Sequence, residues 1–326
     1  MNVSVLGAGA WGTALALVLR QNGHAITVWG HDPLHLDNMR LSRRNDAYLP
    51  GFALPEDWRF EPAADRAVAG ADLVVMVVPS KAFRDVAHAA GRVRAPIVTA
   101  TKGIDFASGL TMGGVLESLF PGLPIAALSG PSLAPEVARG VPTAVVAACA
   151  DPSTAEQIQT AFHRPHFRVY RSTDRLGVEL GGALKNIIAI GAGVCDGLGF
   201  GDNAKAALVT RGQAEIRRLG VACGARPETF SGLSGLGDLT VTCFSKMSRN
   251  RSLGERLGRG NSLDQAIAAT ASIAEGVPTC GAAMRLAAQC QVEVPIIQEI
   301  HAMLFENKDV RQGVRDLLAR DLKAED

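Results

Sequence analysis

The chain has 326 residues, 47% hydrophobic and 20% charged, with 33 Lys and Arg against 32 Asp and Glu for a formal net charge of +1. That balance argues against a disordered chain and against a general polyanion binder such as a nucleic-acid protein, while leaving a local anion site open. At roughly 150 residues per domain the length predicts two domains, each able to bury its own core.

The first half alternates short apolar runs with helix-length segments. Val3–Leu6, Ile26–Trp29, Asp72–Val78, Pro96–Thr101 and Pro124–Leu128 read as strands, followed by Thr143–Cys149 and Phe167–Tyr170. Near-continuous aliphatic strands of this kind predict a sheet covered on both faces and built from parallel βαβ units. After about Thr173 the strand pattern stops and helical spacing takes over, at Leu176–Val194, Ala204–Gly220, Ser262–Ala268, Ala282–Cys290 and Pro295–Leu304. The expected fold is therefore α/β: a Rossmann-type, doubly wound domain over residues 1–172, then an all-helical domain over 173–326. The boundary is expected near Arg171–Asp174.

No apolar run reaches the roughly 18 residues that span a bilayer, so no integral membrane segment is expected. Met1 leads almost directly into VSVLGAG, without a basic or hydrophobic leader, so no secretion signal is expected either. The six cysteines are scattered without a CxxC pair. They predict reduced thiols in a cytoplasmic protein rather than a zinc site or a disulfide framework, and no metal site is expected.

Gly7-Ala8-Gly9-Ala10-Trp11-Gly12 follows the first strand and opens a helix. In that setting Gly7 allows a tight turn and Gly9 admits a pyrophosphate to the backbone. Gly12 lets the helix pack on the strand, so the phosphates meet free N–H groups at the positive helix end. An NAD-selective site usually carries an acidic residue at the tip of the second strand. Here Gly30 and His31 occupy the tip, and Asp32 arrives late, where capping a helix before Pro33 is an equally good role for it. His31, with Arg43 or Arg44 further on, suits a 2′-phosphate. NADP(H), or loose selectivity that also admits NAD(H), is favoured on this reading.

Ligands of open α/β sheets lie beyond the carboxyl ends of the strands. Val78-Pro79-Ser80, Thr99–Gly103 with Lys102, and Ser129-Gly130-Pro131-Ser132 fall there. Lys102 is equally well read as a loop lysine facing solvent. Lys185 stands in the apolar helical stretch Leu180–Ile188, behind Gly181 and Gly182 and beside Asn186. Desolvation there would lower its pKa toward a useful acid–base value, although a lysine that snorkels to water fits the same spacing. Asp238, on a glycine-rich bend, can pair with a lysine. Ser248-Arg249-Asn250-Arg251 supplies guanidinium forks that match phosphate or carboxylate, and would also read as a solvated helix start.

Taken together, these motifs resemble the NAD(P)-dependent glycerol-3-phosphate dehydrogenases of the bacterial type along essentially the whole chain. The resemblance rests on GAGAWGTALA, WGHD, NDAYLPG, VVPS, ATKGID, SGPSLAPEVA, GVELGGALKNIIAIGAGVCDGLGFGDNAKAALVTRG, GLSGLGDLTVTC, SRNR and AEG. It implies that Lys185 is the proton acceptor, with Lys102 and Asp238 beside it. It also implies substrate binding at Lys102, Gly130, Ser132, Lys185, Asn186, Asp238, Ser248, Arg249 and Asn250. Besides Gly7, Gly9 and Gly12, the matching cofactor positions are Ala10, Trp11, His31, Tyr48, Lys102, Ala134, Arg249, Ile273 and Glu275. Ala10 stands where relatives often have Ser, so a contact there comes from backbone N–H. The implied reaction interconverts sn-glycerol 3-phosphate and dihydroxyacetone phosphate for phospholipid synthesis, on a small phosphorylated triose, with a homodimer as one open assembly.

Two other readings remain open from the residues alone. One is a related reductase of another small keto or hydroxy acid, since Arg also binds carboxylate. The other is a non-catalytic NAD(P) redox sensor, which an internal Lys/Lys/Asp set and the absence of a helix-turn-helix signal disfavour.

Overall fold

The computed structural model describes residues 1–269 and 274–321. In chain order the first part runs β1 (Asn2–Leu6), α1 (Ala10–Gln21), β2 (Ala25–Trp29), α2 (Pro33–Ser42), β3 (Arg44–Asn45), β4 (Leu49–Ala53) and β5 (Arg59–Phe60). It continues with α3 (Ala64–Ala67), β6 (Leu73–Met76), α4 (Ser80–Ala89), β7 (Ile97–Thr99), α5 (Met112–Leu119), β8 (Ile125–Ser129) and α6 (Ala134–Ala138). β9 (Thr143–Cys149), α7 (Pro152–Phe162) and β10 (Phe167–Ser172) complete it. Among the described residues eight strands form one sheet, in the order β10-β9-β8-β7-β6-β1-β2-β5.

The aliphatic strands pair as a Rossmann-type core: β1 is parallel to β2 and β6, and β6, β7 and β8 continue in parallel register. Apolar clusters cover the sheet on both faces, one around Leu15, Leu19 and Phe162, the other around Phe83, Met112 and Leu116. The expectation of parallel pairing throughout fails at β9, which runs antiparallel to β8, with β10 then parallel to β9. Aliphatic runs buried on both faces look alike in either direction, so composition could not reveal that reversal. The small β3–β4 hairpin was not expected either. Its Asn45 Nδ2 donates to the Ala8 carbonyl at 3.0 Å and to Thr13 Oγ1 at 2.7 Å, which fastens the hairpin to the first βα turn.

The remaining elements are helical: α8 (Arg175–Gly197), α9 (Asp202–Ala222), α10 (Asp238–Phe244), α11 (Arg249–Gly258), α12 (Leu263–Ala268), α13 (Gly276–Gln289), α14 (Pro295–Phe305) and α15 (Val310–Leu318). α8 is the centre of this part; every residue from Gly177 to Cys195 is buried. It is also long and apolar enough, by length and composition, to cross a membrane, contrary to the estimate from apolar runs. Its apolar window is wholly buried within the protein, which marks it as a core helix. α10 and α15 were not anticipated, and α11 only as a helix start at Ser248–Arg251; α11 carries Arg249, Asn250, Arg251, Glu255 and Arg256, so few apolar residues mark it.

Candidate active site

The dinucleotide turn has the shape its glycines predict. Gly7 adopts φ +137°, and a Cβ there would lie 2.6 Å from the Val77 carbonyl oxygen, while a Cβ on Gly12 would collide with the Gly7 carbonyl. A side chain on Gly9 would meet only open space. Gly9 is also the N-cap of α1 and offers no side-chain acceptor, so the first turn of α1 has no side-chain cap. These features fit a dinucleotide pyrophosphate.

At the tip of β2, His31 is exposed, and Asp32 accepts Leu34 N at 2.9 Å as the N-cap of α2. Asp32 is thus committed to helix capping. Arg43 and Arg44, considered for a 2′-phosphate, are engaged elsewhere. Arg43 pairs with Glu56 at 3.2 Å and lies over Phe60, and Arg44 pairs with Asp46 at 2.9 Å. Tyr48 is on the β3–β4 hairpin, edge-on to His35. Ala134 opens α6, which packs against α1. Ile273 lies outside the described residues.

Beyond the strand ends, side chains from four separate segments meet. Asp238 begins α10 after a wide turn over Leu233–Gly237, in which Gly237 N donates to Gly232 O at 3.1 Å, an i to i+5 bond. Its Oδ1 accepts Lys185 Nζ at 2.6 Å, and its Oδ2 accepts Lys102 Nζ at 2.7 Å. Lys102 also donates to the Gly130 carbonyl at 3.1 Å, which accepts Ser132 Oγ at 2.9 Å as well. Lys185 donates to Thr242 Oγ1 at 2.5 Å, and Thr242 donates to the Asp238 carbonyl at 2.6 Å. Thr242 was not singled out, although its place four residues after Asp238 on one helix face was a readable signal.

Gly182 makes room for this set: a Cβ there would stand 2.6 Å from Ser129 Oγ and 3.6 Å from Lys102 Cγ. Burial brings the Lys185 ammonium down from 10.5 to about 8. The Asp238 charge opposes that shift and the Lys102 charge reinforces it. A lysine so poised exchanges its proton near neutral pH.

The expected anion clamp is more divided. Ser248 Oγ caps α11 by accepting Arg251 N at 3.2 Å, so the helix-start reading holds for this hydroxyl. Arg251 pairs with Asp196 at 2.6 Å, a carboxylate it shares with Lys205. Asn250 Nδ2 donates to Asn186 Oδ1 at 2.9 Å, and Asn250 Oδ1 accepts Gly276 N at 2.9 Å; these bonds join α8, α11 and α13. Arg249 keeps open surface while protein encloses it, and this enclosure lowers its guanidinium pKa against the opposing charge of Glu275. Glu275 in turn accepts Ser80 N at 3.1 Å and Ser80 Oγ at 2.5 Å.

A Rossmann-type sheet with an open glycine turn, whose Lys102 reaches across to a buried Lys185–Asp238 pair of the helical part, defines a nicotinamide-dependent oxidoreductase. Two family models cover most of the chain: the NAD-dependent glycerol-3-phosphate dehydrogenase N-terminus over residues 2–155 and the corresponding C-terminus over 174–315. The chain belongs to this family. It is 48% identical over 331 residues to a glycerol-3-phosphate dehydrogenase [NAD(P)+] of Syntrophotalea carbinolica, covering the whole chain and 99% of that relative. A Chlorobium luteolum protein of the same name is likewise 48% identical, over 334 residues, with 100% and 99% covered. The crystal structure of glycerol-3-phosphate dehydrogenase from Coxiella burnetii superposes with a TM-score of 0.95 at 38% identity, over 98% of this chain and 99% of that one. Neither the related-reductase nor the sensor reading is favoured.

Proposed function

We propose that this chain interconverts dihydroxyacetone phosphate and sn-glycerol 3-phosphate, with NADPH preferred over NADH, and supplies glycerol 3-phosphate for phospholipid synthesis in the cytoplasm. The observation that carries this reading is the junction of Lys102, Asp238 and Lys185, which gathers two cations and one carboxylate beyond the strand ends. Its domains divide near Arg171–Asp174, dinucleotide on one side and proton chemistry mainly on the other.

A bound nicotinamide supplies or accepts the hydride. In reduction Lys185 Nζ delivers a proton to the oxygen that was the carbonyl; in oxidation the neutral amine takes it back. Lys102 polarises the same oxygen, and Asp238 keeps both ammoniums in register. Arg249 meets the substrate phosphate, and Ser132 with the Gly130 segment borders the reacting carbon. The exposed imidazole of His31, beside an Asp32 that caps α2, supports the preference for the 2′-phosphate. The test is NADPH oxidation with dihydroxyacetone phosphate against unphosphorylated dihydroxyacetone, repeated with NADH. Turnover of the unphosphorylated ketone at a comparable rate refutes the phosphate clamp, and equal kcat/KM for both cofactors refutes the preference.

A further inference from the structure

We propose that Ser80 is a positioning residue for Glu275, holding that carboxylate at the end of β6 where it meets the nicotinamide end of the cofactor. The inference rests on the proposed role of Glu275 in cofactor binding, and extends it to a residue on the opposite side of the cleft.

Glu275 occupies the N-cap position of α13, where an acidic side chain ordinarily accepts a hydrogen bond from its own first turn. No such bond forms; the side chain turns away from its helix. Both carboxylate oxygens go instead to a residue 195 positions away in sequence: Oε1 accepts Ser80 N at 3.1 Å, and Oε2 accepts Ser80 Oγ at 2.5 Å. The carboxylate forgoes its own helix and takes instead the first N–H of α4, otherwise without a side-chain cap, together with the hydroxyl of a residue that is itself 6% exposed, so the contact ties α4 to the start of α13.

The contact is enclosed from two further directions. Gly103, next to Lys102, packs so closely that a Cβ there would lie 2.6 Å from Ser80 Cβ and 3.7 Å from Glu275 Oε2. From the helical side, Asn250 Oδ1 accepts Gly276 N at 2.9 Å and fixes the backbone beside Glu275. Charge follows the same geometry. Enclosure raises the Glu275 pKa, and the two Ser80 bonds, with the Arg249 charge, hold it down. Ser80 therefore sets where the carboxylate sits and opposes the upward push of burial on its pKa, and the carboxylate so held can accept from a carboxamide N–H.

The experiment is a double-mutant cycle of Ser80→Ala and Glu275→Ala, read by KM for NADPH and for dihydroxyacetone phosphate, kcat and Tm. Loss of one charge-assisted hydrogen bond through Ser80→Ala should raise KM for NADPH about tenfold, with kcat, the substrate KM and Tm little changed. The acid-side rise of the NADPH KM should begin at higher pH, because Glu275 then protonates sooner. Ser80→Cys, which retains a weak donor, should fall between wild type and Ala. The double variant should bind NADPH no worse than Glu275→Ala alone. A raised KM in Glu275→Ala with none in Ser80→Ala, or fully additive effects, overturns the positioning role. If Glu275→Ala leaves the NADPH KM unchanged, Glu275 leaves the cofactor site and the proposal falls with it.

Discussion

Lys185 Nζ lies 2.6 Å from Asp238 Oδ1, with 6% of the lysine side chain and 1% of the aspartate exposed. A buried ion pair stands on a balance between the attraction of its partners and the cost of desolvating them. Here the second ammonium of Lys102 claims the other carboxylate oxygen, so one negative charge serves two positive ones. Desolvation then prevails at Lys185 and brings its pKa down to about 8.

That value gives opposite pH profiles for the two directions. Reduction needs the ammonium, so kcat with dihydroxyacetone phosphate should fall as pH rises through about 8. Oxidation needs the neutral amine and should rise through the same region. Profiles of kcat in both directions check this. Limbs of the same sign would assign the titration to another group.

Lys185→Ala should keep fold and cofactor binding, since Asp238 retains Lys102 and the glycine turn at Gly7–Gly12 is far along the chain. Turnover should drop about 10²–10⁴-fold, the range for a positioned acid–base group. Lys185→Arg should rescue poorly, because a guanidinium keeps its proton at working pH. NADPH fluorescence titration beside kcat measures both. Near-wild-type turnover in either variant removes Lys185 from the mechanism.

Lys185, with its flanking glycines, was legible in the sequence because a lone charge in an apolar helix contradicts the pattern around it. The strands were legible for the same reason that the β9 reversal was not: aliphatic runs report burial but not direction. Ser80 was placed beyond a strand end but its partner was not, and Thr242 was passed over despite its spacing from Asp238, because hydroxyls serve turns and helix starts everywhere and the bonds to Glu275 and Lys185 are distant in sequence. Ser248 shows the converse; its motif pointed to substrate, while its hydroxyl caps α11.

His31→Asp should move selectivity toward NADH. Asp32 is occupied in capping α2, so no carboxylate from it serves ribose hydroxyls, and a new one at the tip of β2 would repel a 2′-phosphate. The measurement is the ratio of kcat/KM for NADPH and NADH. A ratio that does not fall places the 2′-phosphate elsewhere.

Arg249→Ala should weaken binding of phosphorylated substrate by about 1–2 kcal/mol, since the guanidinium keeps open surface and its pairing with a phosphate is partly screened. The loss should appear mainly in the dihydroxyacetone phosphate KM. Cofactor KM should change less, because Glu275 keeps both bonds to Ser80. Unchanged KM and kcat would make Arg249 a helix-start residue only.

Asp238→Asn separates position from charge. The amide keeps one acceptor for a lysine but turns an N–H₂ toward the other ammonium, so two buried cations face each other without a counter-charge. Asp238 raises the Lys185 pKa and Lys102 lowers it, so removing the carboxylate charge should carry the value below about 8. The falling limb of reduction then moves to lower pH, and at pH 7 reduction suffers more than oxidation. Breaking a buried pair ordinarily costs about 3–5 kcal/mol, because a bare charge is left behind. The loss should be smaller here: Lys185 can shed its proton, and Lys102 retains 18% side-chain exposure and the Gly130 carbonyl. The pH–kcat profile, with Tm recorded alongside, decides the matter. A limb that stays at its wild-type pH while kcat falls would make Asp238 a purely geometric support and leave burial alone in control of the lysine.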